Sequence, residues 1–336
     1  MKLKLLGAAA LLTVTLASAQ LAPPPSSNKP GPTFVVKDSE LPSPLTFILY
    51  GDQRFMDPKN DSQSSPKMRQ LLVKQIALEK PAAIVLNGDV PNDGRNKDDY
   101  AVYQTETQIW RDQKLLVYPT LGNHEIIGDE APCLENWWNA FPQLRNRRWY
   151  SVQLGSRVYI LALDSTSSLL PGSEQFKWAA QQIDGMTNST DFLIITMHHP
   201  PVADVQTHIL VNHNPRANEI AFRDYLTAKA PKLHARILVS AGHIHNYERH
   251  EQGGVTYLVA GGGGAFPYIV ERTPNDIYQD AAFPNYHYVK CVLEGQALKS
   301  TMYRATEPDN AHSPFEIKDT FAITAKAHKA VSSSKP

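Results

Sequence analysis

The chain is poor in the residues that mark several common functions. Among its 336 residues there are only two cysteines, Cys133 and Cys291. No Cys-x-x-Cys pair occurs, which excludes a zinc ribbon, and two cysteines are too few for a dense disulfide scaffold. Lysine plus arginine and aspartate plus glutamate both number 33, so the formal net charge is zero. That balance argues against a nucleic-acid or polyanion binder. The one short basic run, Arg145, Arg147 and Arg148, reads as a solvated loop. The glycines 261–264 are not followed by Lys-Ser or Lys-Thr, so they form no P-loop. Ser165, Ser167 and Ser168 follow a strand-like segment, but no Gly-x-Ser-x-Gly elbow exists, which disfavours a serine hydrolase. No apolar run reaches the ~20 residues that a bilayer-spanning helix needs.

What is present begins with a secretory pattern. Lys2 and Lys4 precede an apolar stretch from Leu5 to Leu16, and Ala17-Ser18-Ala19 is a small-residue cleavage site, with cutting expected before Gln20. Residues 1–19 are therefore expected to be a signal peptide. The mature protein is expected to be exported, periplasmic or secreted, with no stable membrane insertion. In an oxidising compartment Cys133 and Cys291 could pair; two buried thiols are the alternative. Residues 20–44, rich in proline and serine, read as an extended linker, and 325–336 as a disordered tail. A single catalytic domain over 45–324 is the simplest partition. Its 42% hydrophobic content, measured over the whole chain, is enough for a sizeable core.

Continuous apolar runs of strand length occur at 45–50, 83–87, 158–163, 192–197 and 236–240, which suggests strands covered on both faces. Helical periodicity lies between them, at 67–80, 98–113, 174–184 and 217–229. This alternation points to an α/β architecture. Segments 255–260 and 286–304 are strand-rich and could extend a second sheet. Loops 126–148 and 265–286 are expected to shape a pocket.

Five polar motifs sit just past these strands or their neighbours. They are Gly51-Asp52, Gly88-Asp89, Gly122-Asn123-His124-Glu125, His198-His199-Pro200 and Gly242-His243-Ile244-His245. A lone Gly-Asp is usually a turn, and a lone histidine usually a polar loop residue. Five strand ends that each deliver a carboxylate, amide oxygen or imidazole are a different matter. They can converge on one sheet edge, where open α/β sheets gather their ligands.

The ordered set resembles the calcineurin-like metallophosphoesterases, and more narrowly their purple acid phosphatase branch. Gly-His-Ile-His-Asn-Tyr-Glu-Arg (242–249), the glycine-rich segment 255–265, Trp149-Tyr150-Ser151 and Ala162-Leu163-Asp164-Ser165 carry the narrower likeness, which covers about residues 45 to 305. It implies a central sandwich of two mixed β-sheets flanked by helices, four αββα layers. It implies hydrolysis of phosphate esters, mono- or diesters, at two metal ions of the iron, manganese or zinc type, with a metal-bound hydroxide attacking phosphorus. By that pattern Asp89 would bridge both ions, Asp52 and His245 would bind the first, and Asn123, His198 and His243 the second. His124 would protonate the leaving group or bind the phosphate. His208, ten residues after His198, would contact the phosphate. His199 would support its loop, and Glu125 would either orient His124 or lie on the surface. The partner would be a small phosphate ester.

The chain departs from the family at the first motif. Many members have Asp-x-His there, and this chain has Asp52-Gln53-Arg54. Arginine stays protonated and is no ordinary metal ligand. The purple phosphatases supply a tyrosine three residues after the bridging aspartate, a position held here by Asn92, whose oxygen could complete the first site. Arg54 could hold substrate phosphate in its planar fork or form a salt bridge with a nearby carboxylate. The competing expectation is an exported binding module with a degenerate single-metal site and little catalysis.

Overall fold

The computed structural model describes residues 31–205, 213–306 and 313–327. The signal segment, His208 and residues 328–336 of the expected tail lie outside the described residues. Two sheets make the frame. The first joins β1 (Phe34–Val36), β5 (Tyr150–Leu154), β6 (Val158–Ala162), β7 (Phe192–Thr196), β8 (Arg236–Ala241), β10 (Val255–Ala260) and β9 (Tyr247–Gln252) in that spatial order. The second joins β13 (Phe315–Thr324), β12 (Ala297–Ala305), β11 (Tyr286–Glu294), β2 (Leu45–Tyr50), β3 (Ala83–Leu86) and β4 (Leu116–Pro119). Both sheets are mixed. β2, β3 and β4 run parallel to one another, as do β6, β7, β8 and β10, while β11 and β9 are antiparallel to their neighbours.

The continuous apolar runs are explained by burial on both faces. Successive residues of a strand point to opposite sides of the sheet. In β6 and β7, Val158, Ile160, Phe192 and Ile194 join the core between the sheets, while Tyr159, Leu161, Leu193 and Ile195 join a second core on the outer face. That outer face is covered by α5 (Glu174–Gly185) and α6 (Ala217–Lys229) through Ala179, Ile183, Phe222 and Leu226. The second sheet is covered in the same way by α1 (Pro66–Leu78), whose Met68, Leu72 and Ile76 are buried, and by Trp110 of α3 (Gln108–Asp112). Helices outside two packed sheets give the expected four layers.

Four expectations change. The 20–44 segment is not linker throughout: Phe34–Val36 pairs in parallel with β5, and Phe34 packs edge-on against Tyr150. Its prolines flank this short edge strand rather than interrupt it. The expected loop 126–148 contains α4 (Glu130–Ala140). Asp129 caps it by accepting from Ala131 N, and Pro132 falls in the first turn, where a backbone N–H is not needed. Trp137 and Phe141 belong to the core, so the aromatic cluster there is packing. The single helix expected over 98–113 is two, α2 (Lys97–Glu106) and α3, broken at Thr107, whose hydroxyl donates to Tyr103 O at 2.6 Å. The basic run is not simply solvated, since Arg145 pairs with Glu135 and Arg148 with Asp164. Cys133 and Cys291 are both free and buried, so no bridge joins them.

One buried ion pair ties the helical layer to the strand-end loops. Arg69 of α1 is fully buried and meets Glu106 through Nε at 2.8 Å and Nη2 at 2.9 Å. Its Nη1 donates to Arg54 O (3.0 Å) and to Ser64 Oγ (2.9 Å), and its guanidinium lies 4.9 Å from the Phe55 ring. Replacing one partner strands the other charge, which costs ~3–5 kcal/mol. Arg69→Met is therefore expected to lower unfolding stability by about that amount in urea titrations. A loss within ~0.5 kcal/mol, typical of a surface site, would contradict this reading.

Candidate metal centre

The five motifs meet at one edge of the sandwich, past the carboxyl ends of β2, β3, β4, β7 and β8. The loops that carry them are bound to each other. Asp52 N donates to Gly88 O (3.1 Å), Arg54 N to Asp89 O (3.0 Å) and Phe55 N to Val90 O (2.7 Å). The backbone is strained here: Asp52, Arg54, Asp89 and His243 all have positive φ, from 49° to 70°. Such conformations are unfavourable for residues with a Cβ and persist where the surroundings enforce them. The glycines beside them are needed for space. A Cβ at Gly122 would lie 2.3 Å from Asp89 Oδ1, and one at Gly242 would lie 2.3 Å from Asp52 Oδ2.

Four electron-pair donors face one another. Asn123 Oδ1 is 2.9 Å from His198 Nε2 and 3.1 Å from His243 Nδ1. The two imidazole nitrogens are 3.2 Å apart, and His198 Nε2 is 3.3 Å from Asp89 Oδ1. Atoms that each lie ~2.0–2.1 Å from one ion are ~2.9–3.4 Å from their neighbours in its shell, and the Asn123, His198 and His243 atoms keep that spacing, with Asp89 Oδ1 joining them through His198. The His198 tautomer agrees. His198 Nδ1 lies 2.9 Å from the Asn87 carbonyl, which can only accept, so the proton is on Nδ1 and Nε2 is bare. His243 turns its Nε2 to His213 Nδ1 at 3.0 Å. Burial lowers the pKa of both His198 and His243, keeping them neutral. Asp89 Oδ1 and Asn123 Oδ1 both face the bare His198 Nε2, and acceptors packed together repel unless a cation lies among them. The residues present thus fit a metal ion.

Asp89 is the hinge of the arrangement. Oδ1 faces these donors and also accepts from His124 N (2.9 Å). Oδ2 accepts from Arg54, with Nε at 3.1 Å and Nη2 at 3.0 Å. Burial opposes its charge, but His198 and Arg54 outweigh that and hold the carboxyl well below the usual range. Arg54 is only 7% exposed, and its Nη2 lies 3.5 Å from His245 Nε2. His245 donates from Nδ1 to Phe266 O (2.9 Å), is stacked on Tyr268, and approaches Asp52 Oδ1 at 3.5 Å. Burial and then the Arg54 charge push its pKa down to about 3. Asp52 accepts from His243 N and is pushed well up, by burial and by the Asp89 charge. Of the two alternatives for Arg54, the salt bridge is the one observed.

All six expected ligands and Arg54 are brought together, with His124 alongside. His124 Nδ1 donates to Asn92 O, leaving Nε2 open. Asn92 thus fixes His124 through its backbone, while its side-chain Oδ1 is buried without a hydrogen-bond partner. His199 holds Ser165 through Nδ1 at 2.9 Å, a supporting contact. Glu125 is neither on the surface nor on the His124 ring. It is fully buried and accepts from the N–H groups of Gly122 (2.7 Å), Asp89 (2.9 Å) and Val90 (2.7 Å), which locks two motif loops together. Burial and then the Asp89 charge raise it to about 8.

Sequence reasoning missed three contributors. Asn87 joins the two sheets: Nδ2 donates to Ser240 Oγ, Oδ1 accepts from Thr196, and its carbonyl fixes His198. A polar residue closing an apolar strand was its only signal. His213 and Tyr268 come from loops and carry no local pattern. A separate group, Asp204, Glu248 and His250, lies within ligand distance of one another. Its Glu248 takes His250 Nε2 at 3.1 Å, and that carboxylate outweighs burial and raises the imidazole pKa. That pair joins two of the three residues, and Glu248 Oε1 is buried without a hydrogen-bond partner. Returning to Glu125, truncation to alanine would leave three buried donors without an acceptor, each worth ~1–3 kcal/mol though not additively. Glu125→Ala is expected to lower stability by at least ~1–3 kcal/mol in denaturant titrations; a change below ~0.5 kcal/mol would show that the loops do not depend on it.

Comparison with known proteins agrees with this geometry. The family model for calcineurin-like phosphoesterases matches residues 60–247, a range that begins after Asp52 and Arg54 and takes in the other expected ligands. Purple acid phosphatase 1 of Ipomoea batatas is 28% identical over 145 residues, covering 40% of this chain and 28% of that protein. Fe(3+)-Zn(2+) purple acid phosphatase 12 of Arabidopsis thaliana is 24% identical over 252 residues, covering 68% and 48%. The chain thus spans less than half the length of either. In fold it is similar to purple acid phosphatase PPD1 from yellow lupin (Lupinus luteus) seeds, with a TM-score of 0.67 and 16% identity over 88% of this chain and 55% of that one. The strand-end motifs, their convergence and the extent of the family match lead to one placement: the chain belongs to the calcineurin-like phosphoesterase family and is similar within it to the purple acid phosphatases.

Proposed function

We propose that the chain hydrolyses small phosphate esters at a metal centre, with Asp89, Asn123, His198 and His243 as ligands and His124 as proton carrier. The observation that carries this reading is the close approach of Asn123 Oδ1, His198 Nε2 and His243 Nδ1, 2.9–3.2 Å from one another, with Asp89 Oδ1 3.3 Å from His198 Nε2. A bound ion would supply Lewis-acid chemistry, acidifying water and offsetting charge on phosphoryl oxygens. Nitrogen and oxygen donors without thiolate suit iron, zinc or manganese, and the name of the Arabidopsis relative pairs iron with zinc.

The chain's own groups have separable tasks. Asn87 O holds the His198 imidazole in the tautomer that turns a bare nitrogen inward, and His213 fixes the His243 ring from its other nitrogen. Asp89, fixed by Glu125 behind its backbone, keeps its carboxylate ionised. His124 retains its proton on Nδ1 through Asn92 O, so Nε2 is the atom that exchanges one. Burial lowers its pKa, and an arriving phosphate anion favours the protonated form, which would pass its proton to the leaving alkoxide. In a two-ion version of this reading, Asp52 and His245 would join Asp89 in holding the second ion. Its support is the 3.5 Å approach of His245 to Asp52, and the position of Arg54 on Oδ2 counts against it. That same arginine favours the competing reading, a binding module with a degenerate site.

Among the described residues no helix is long and apolar enough to cross a membrane. Export remains a proposal from residues 1–19; mature protein starting at Gln20 in N-terminal sequencing is the expected result. Activity is tested with an aryl phosphate ester and metal-loaded protein. Hydrolysis should be lost on chelation and return with metal, and His124→Asn should lower kcat by ~10²–10⁴-fold. Folded, metal-loaded protein without hydrolysis would favour the binding module.

A further inference from the structure

The two halves of the centre are unequal. One half offers four donors and no cation. In the other, Asp89 Oδ2 and His245 Nε2 already meet a cation, the guanidinium of Arg54, with Asp52 beside His245. We propose that Arg54 permanently stands in for one of the two metals, so that the working centre holds one ion and one arginine. The inference rests on the metal-centre reading above.

Arg54 is not a surface arginine that has swung inward. Its N donates to Asp89 O (3.0 Å), and its carbonyl accepts from Ser64 Oγ (3.1 Å) and from the buried Arg69 (3.0 Å). Its φ of 49° is a conformation that those three bonds enforce. From that anchored backbone, Nε and Nη2 both reach Asp89 Oδ2, and Nη2 turns toward the bare Nε2 of His245. Asp89 therefore bridges a donor cage on Oδ1 and a fixed cation on Oδ2. An ion entering between Asp52, Asp89 and His245 would meet that cation at close range, in a buried setting where like charges repel strongly. A guanidinium cannot acidify water as a metal does, but its planar fork can neutralise phosphoryl oxygens. Nη1 takes no part in the contacts above and is the nitrogen left for a substrate. The chain thus trades one Lewis acid for a permanent charge, which predicts a centre that needs a single ion.

The full chain is loaded with manganese, iron or zinc, desalted, and its metal counted per chain by elemental analysis. Wild type should hold one ion, and Arg54→His, which restores an imidazole at the first motif, should hold two. Two ions in wild type would overturn the inference while leaving the metal-centre reading intact; none would sink both. A count of one in a folded Arg54→His would also overturn it, because Arg54 would not then be what excludes the second ion. Asp52→Asn gives a check independent of that variant. With one ion in the cage its metal count and affinity should equal wild type, whereas a tenfold or greater loss of affinity would place Asp52 in a metal shell.

Discussion

The site depends on one carboxylate held in one orientation. Asp89 sits in a left-handed turn, with Glu125 gripping its backbone N–H, His124 N on one oxygen and Arg54 on the other. These contacts come from two loops, one carrying His124 and Glu125 and the other Arg54. If Asp89 relaxed to an ordinary turn, Oδ1 would leave His198 and Oδ2 would leave Arg54. The donor cage and the ion pair would separate together. The positive φ at Asp52, Arg54 and His243 follows from the same demand, since those loops bend to bring side chains to this carboxylate.

The sandwich makes that convergence affordable in physical terms because its strands are immobilised on both faces. β2, β3 and β4 carry Asp52, Asp89 and Asn123 from one sheet, and β7 and β8 carry His198 and His243 from the other. Asn87 bonds across the gap to Thr196 and Ser240, so the two sheets hold a fixed register at the edge where the loops meet. Arg69 performs the corresponding task from the helical layer, reaching past the Arg69–Glu106 pair to the Arg54 carbonyl.

Much of this was legible in the sequence. The two-sided apolar runs placed β2, β3, β6, β7 and β8, and the motifs after them named the six expected ligands and His124. The misses have physical reasons. β1 is three residues long among prolines, too short for a period. α4 hides a proline in its first turn, where helices tolerate it. Glu125 reads as one polar residue in a polar motif, and only the fold reveals that three backbone donors converge on it. His213 and Tyr268 arrive from irregular loops, whose placement depends on contacts distant in the chain. Arg54 was visible as a departure, yet its partner could not be chosen until Asp89 was seen to turn Oδ2 toward it.

The four facing donors make a claim about an ion that activity alone does not test. Crystals of manganese-loaded protein, measured for anomalous scattering, would test it most directly. The account predicts a single strong anomalous peak bound by Asp89 Oδ1, Asn123 Oδ1, His198 Nε2 and His243 Nδ1, with the Arg54 guanidinium still on Asp89 Oδ2. An empty cage, or a peak held by Asp52 and His245 with Arg54 displaced, would contradict it.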